Sequence, residues 1–149
     1  MSICFLFKTT VNPVVFQISE FAEKLYDSGY RSDPNFSKNE FIKDLVNKMN
    51  HGERGCGLID SSEKVSFSIF LFEKKRVELL FDKRPVYDDE SRVEIKKIIV
   101  AIMGLLGAKF LTIAIDDGTT LFENMSFENF KKSRLSIILG GIGTENSPE

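Results

Sequence analysis

The chain has 149 residues, 42% of them hydrophobic, enough for one domain that buries roughly two-thirds of its unfolded surface and too many for a disordered chain. Twenty basic residues against 22 acidic ones leave a net charge of −2, without the basic excess that binding to phosphate backbones needs, so no nucleic-acid partner is expected. Fourteen Phe and no Trp point to a core of small aromatic rings and branched aliphatics.

Residues 3–7, Ile-Cys-Phe-Leu-Phe, form a dense apolar run that predicts a buried first strand ending at Lys8-Thr-Thr10. Asn12-Pro13 then supplies an N-cap and a first-turn proline, and Val14, Ile18, Phe21, Ala22 and Leu25 recur at helical spacing, giving a helix over 13–27 that stops near Gly29. The stretch around Pro34 is loop chemistry. Ser37-Lys-Asn-Glu40 is a capping box, and Phe41, Ile42, Leu45, Val46 and Met49 make the apolar stripe of a second helix that ends at His51-Gly52.

Leu58-Ile59 predicts a short strand, after which the apolar runs 65–72 and 77–81 flank Glu73-Lys-Lys-Arg76 and read as a β-hairpin at the middle of a sheet. Pro85 ends the second run, and Ser91-Arg-Val-Glu94 repeats the capping pattern ahead of a long helix over 90–107. Residues 98–108 of that helix carry no charge, a run well short of the ~20 residues that span a bilayer, so no membrane segment is expected. Residues 110–115 have the continuous apolar character of a strand covered on both faces, and strand, helix, strand over 77–115 predicts a crossover to a parallel partner. Thr120-Leu-Phe-Glu123 reads as the cap of a short helix with Phe122 and Met125 inward, residues 135–139 as the last strand, and 144–149 as a disordered tail. The expected fold is therefore a single α+β domain over 1–143, with a mixed sheet of five or six strands and helices packed on it.

Two places gather groups that could do chemistry. His51 and Cys56 are close in sequence, which a Cys–His nucleophile pair would need, but a helix end and a strand entry explain both residues more simply. Two cysteines and one histidine do not complete a four-ligand zinc site. Asp88-Asp-Glu90 precedes the long helix and Asp116-Asp117 follows a buried strand, at the carboxyl end where α/β sheets bind ligands. The glycines of Gly140-Gly-Ile-Gly143 open no helix and no lysine follows them, so no phosphate cradle accompanies these acids, and no cofactor or metal is expected.

Both cysteines lie in or beside apolar runs, and the opening residues lack the basic stretch of a signal peptide, which favours a reducing cytoplasm. In size, leaderless start and mixed strand-helix order, the chain resembles the immunity proteins of bacterial toxin–immunity pairs, including those of contact-dependent growth inhibition. The resemblance is one of general build across the whole chain. It implies a non-enzymatic protein that binds one cognate toxin domain and covers its active site. The partner surface is then expected at Tyr87, Asp88, Asp89 and Glu90, joined by Asp116 and Asp117 if both loops leave the same end of the sheet. The alternative is a small metal-dependent enzyme or nucleotide-binding domain that uses the same carboxylates.

Overall fold

In chain order the elements are β1 (Leu6–Val11), α1 (Ile18–Asp27), α2 (Lys38–Asn50), β2 (Cys56–Ile59), β3 (Ser66–Phe72), β4 (Arg76–Asp82), α3 (Asp89–Leu106), β5 (Phe110–Ile115), β6 (Thr120–Ser126) and α4 (Phe127–Lys132). The computed structural model describes residues 6–12, 17–50, 56–59, 66–72, 76–82, 89–115 and 120–133. They make one α+β domain built on a six-stranded sheet of order β2-β3-β4-β1-β5-β6.

The hairpin stands where the alternation of its side chains placed it, with Phe67 opposite Phe81 and Leu71 opposite Val77. What differs is its neighbour. β4 and β5 run in the same direction, but they do not pair: β1 lies between them, antiparallel to both, with Thr9 opposite Leu79 on one side and Ile113 on the other. Every ladder among the described residues is antiparallel, so the expected parallel pair is absent there. The cause is the first strand, which continues through Lys8, Thr9, Thr10 and Val11, where the polar residues were expected to end it. Its alternation buries Thr9 and Val11 and leaves Thr10 half-exposed, so these threonines mark a one-sided strand.

A second difference concerns 120–126, which form an edge strand instead of a capped helix. The ladder to β5 shifts register between Leu111 and Ile113, so Met125 stands opposite Leu111 and Phe122 opposite Ile113. The bulge thus sets positions three apart opposite residues two apart, so a spacing that a helix also produces falls within a strand. The helix starts later, at Ser126, whose Oγ accepts from the backbone N–H of Asn129 at 3.1 Å. The strand expected over 135–139 and the tail over 144–149 lie outside the described residues.

The two faces of the sheet are unlike. On one, Leu58, Phe67, Ile69, Val77, Leu79, Phe81, Val11, Leu111 and Ile113 join Phe21, Leu25, Phe41, Leu45, Ile95, Ile99, Ile102 and Phe130 in a single core, so all four helices contribute to this side. Phe67 and Phe81 stack at 5.2 Å, and Tyr30 meets Phe67 edge-on at 5.9 Å, tying the α1–α2 connection to the sheet. The opposite face carries Ser66, Ser68, Phe70, Glu78, Leu80, Thr10 and Thr112, exposed or half-exposed. Phe110, on the same side, is 49% exposed, so β5 is not covered on both faces as its apolar run suggested.

Helix ends follow local chemistry. At α2 the capping box forms reciprocally: the Ser37 N–H donates to Glu40 Oε1 at 3.0 Å and the Glu40 N–H to Ser37 Oγ at 3.2 Å. α1 and α3 both finish in Schellman motifs. Gly29 (φ 102°) and Gly107 (φ 65°) take the left-handed turn, and the N–H groups of Tyr30 and Ala108 reach back to the carbonyls of Leu25 and Met103 at 3.0 Å each. α1 is shorter than its spacing suggested, with Gln17 as N-cap in place of Asn12, and residues 13–16 lie outside the described residues. α3 begins at Asp89, which puts Ser91 inside the helix and not at its cap. No described helix is long and apolar enough to cross a membrane.

Candidate functional site

Because β4 and β5 run in one direction on either side of β1, both finish at the same end of the sheet. Asp82 stands opposite Leu6 and Ile115 opposite Phe7. Two strand spacings of about 4.8 Å separate the ends, so the two acid-bearing loops depart roughly 10 Å apart. Of the residues expected to contact a partner, Asp89 and Glu90 form the first turn of α3, where acids are favoured by the helix dipole. Tyr87, Asp88, Asp116 and Asp117 lie outside the described residues, between points the sheet fixes. The structure brings the two loops' points of departure together. His51 lies outside the described residues, and Cys56 opens β2 opposite Ile69.

A second feature was not expected from the sequence. On the open face, a cavity of about 460 Å³ lies over β4, β1, β5 and β6, lined by Thr10, Asn12, Arg76, Glu78, Phe110, Thr112 and Asn124 among others. Its floor is a cross-strand row set by register: Glu78 faces Thr10, and Thr10 faces Thr112. The Glu78 side chain is enclosed, 12% exposed, and Arg76 Nη2 stands 3.6 Å from its Oε2 as an ion pair on the same strand. At the bulge, Asn124 adopts φ 54°, and its backbone N–H donates to Thr112 Oγ1 at 3.2 Å. Asparagine is among the few residues that tolerate this left-handed conformation, and bulges of this kind re-aim side chains beside binding sites.

The signal for this cavity was present as one polar residue on the open side of each strand: Glu78 in β4, Thr112 in β5 and Thr10 in β1. Each strand alone looked like a minor interruption. Only the pairing order makes them neighbours.

Elsewhere, Lys38, Glu40 and Arg31 make local contacts. Lys38 Nζ sits 2.9 Å from Asp27 Oδ1 and 3.8 Å from Glu23 Oε2, and the hydrogen bond to Asp27 raises its pKa from the ordinary lysine value. The two hydrogen bonds with Ser37 hold the Glu40 carboxyl below its ordinary range. Arg31 Nη1 donates to the carbonyls of Tyr26 and Tyr30 at 2.8 Å each, and its guanidinium lies 3.6 Å over the Tyr26 ring. No group of three or more His, Cys, Asp or Glu placed to hold a metal occurs among the described residues. No family model, curated protein or solved structure matches this chain.

Proposed function

We propose that this protein is a non-enzymatic protein-binding module, an immunity protein that binds and neutralises a cognate bacterial toxin domain in the cytoplasm, of the kind found in contact-dependent growth inhibition. The observation that supports this reading is the shared departure point of the two acidic loops, fixed by Asp82 opposite Leu6 and Ile115 opposite Phe7. On this reading Tyr87, Asp88, Asp89, Glu90, Asp116 and Asp117 supply the partner with carboxylates and an aromatic anchor, in segments that leave one end of the sheet. Such a surface suits a toxin whose active site is basic, as a nuclease's is: it stands in for the substrate's phosphates and speeds encounter. The alternative, a small metal-dependent enzyme or nucleotide-binding domain, would use the same carboxylates, Asp88, Asp89, Asp116 and Asp117.

The experiment uses the toxin domain encoded beside this protein's gene. Calorimetric titration at low salt should show tight binding that weakens as salt rises. The quadruple variant Asp88→Lys, Asp89→Lys, Asp116→Lys, Asp117→Lys should lose affinity by at least ten-fold with an unchanged melting temperature. Equal binding by that variant would reject the surface, and failure of the natural protein to bind would reject the function.

A further inference from the structure

We infer that the open-face cavity is a second binding site, for a neutral sugar of one or two rings. Its floor is set back from the loop after β4, since Glu78 lies four residues before Asp82, roughly 13 Å along the strand at about 3.3 Å per residue, while Ala114 and Thr120 in its lining border the segment that carries Asp116 and Asp117. A volume of about 460 Å³ is within the range of small-molecule sites, about 300–1,000 Å³.

The lining selects the ligand class through its hydrogen-bonding character. Its two charged side chains, Arg76 and Glu78, are 3.6 Å apart and offset each other, so no net charge draws in an ion. The other polar side chains are the hydroxyls of Thr10, Thr112 and Thr120 and the amides of Asn12 and Asn124. Each hydroxyl and each amide both donates and accepts. A phosphate or carboxylate only accepts and an ammonium only donates, so either would leave half of this lining without a counterpart. Sugar hydroxyls do both. The Asn124 N–H occupies one acceptor position of Thr112 Oγ1, leaving that hydroxyl its own proton to donate.

Phe110 supplies the remaining element. It is one of only two large hydrophobic side chains strongly exposed among the described residues, and it lines this cavity. A ring exposed beside a polar floor offers a flat apolar surface to the C–H face of a pyranose, while the floor engages the hydroxyls at its edge.

The test is an amide NMR titration of the full chain with glucose, galactose, N-acetylglucosamine, maltose and cellobiose, and with inorganic phosphate and arginine as charged controls. At least one sugar should give saturable shifts at Thr10, Asn12, Thr112 and Asn124, with phosphate and arginine giving none. Phe110→Ala should weaken that sugar by about ten-fold, and Thr112→Val by a smaller factor, both with melting temperatures close to that of the natural chain. A soluble polysaccharide of the same sugar distinguishes the source: tighter binding indicates a polymer, equal or weaker binding the free sugar. Saturation by phosphate or arginine at these residues, no response to any sugar, or a response that both variants leave unchanged would overturn the site. The sugar titration needs no toxin and the toxin titration no sugar, so the two readings fail separately.

Discussion

Thr9 stands directly opposite Ile113 across the β1–β5 ladder, and both are fully buried on the covered face of the sheet. Thr9 is the only polar residue fully buried among the described residues, and its Oγ1 has no hydrogen-bond partner. An unpaired buried hydroxyl costs about 1–3 kcal/mol. Thr9→Val keeps the branched shape and removes that cost, so it should stabilise the protein by about 1 kcal/mol, or about 2–4 °C in melting temperature for a chain of this size. A lower melting temperature would show that the hydroxyl is satisfied.

Ile113→Asp, or Ile99→Asp in α3, should abolish soluble expression. Both side chains are 0% exposed, and a buried carboxylate with no partner costs several kcal/mol against a total stability of roughly 5–15. Soluble variants with cooperative melting would place these side chains outside the core.

Two glycines three residues apart should respond in opposite directions. Gly104 lies within α3 with open space where a Cβ would stand, so Gly104→Ala should stabilise by about 0.5–1 kcal/mol through backbone entropy. Gly107 has φ 65° and closes the Schellman motif, so Gly107→Ala should destabilise by about 1–2 kcal/mol. Denaturant midpoints of the two variants against the natural chain decide both.

At α2, Ser37→Ala should cost about 1 kcal/mol, because it removes the acceptor for the Glu40 N–H. The Glu40 carboxyl is held below its ordinary value of 4.5 by the same motif. With a folded pKa depressed, its contribution is present above the unfolded value and disappears as pH falls through the folded one. Melting curves of Glu40→Gln should therefore differ most from those of the natural chain above the ordinary value of 4.5 and converge with them as pH falls below it. A constant difference across that range would assign the effect to packing.

Lys96 joins α3 to the end of α4, donating from Nζ to the carbonyls of Lys131 at 2.9 Å and Ser133 at 2.5 Å. A lysine on the final carbonyls caps a helix too short to be stable alone. Lys96→Met should accelerate amide exchange within α4 while leaving the α1–α2 pair unchanged. Equal protection in both proteins would show that packing of Phe130 alone holds the helix.

Local chemistry was legible in the sequence, and pairing between distant segments was not. The α2 capping box, the hairpin between β3 and β4 and the turn at Gly29 are each written within a few residues, where side-chain spacing and hydrogen-bonding chemistry act directly. The position of β1 between β4 and β5 depends on contacts among segments some seventy or more positions apart, which no local spacing encodes. Misreading 120–126 has a related origin, since the bulge opposite Thr112 imitates helical periodicity. The acidic loops stood out because charge is visible residue by residue. The cavity did not, because Glu78, Thr10 and Thr112 become a site only once three strands are side by side.

The place of β1 also sets an order on synthesis. Residues 6–11 leave the ribosome well before their partners, residues 77–82 and 111–115, so the nascent strand waits for about a hundred further residues before it is paired on both sides. Until then β4 and β5 each present an open edge, and the growing chain depends on speed or on a chaperone to keep them from pairing with other chains. Closure over such long separations also slows refolding, toward the millisecond-to-second range of non-local β proteins. A truncation that removes β1 would leave two fragments of sheet, β2-β3-β4 and β5-β6, with no other described strand to join them.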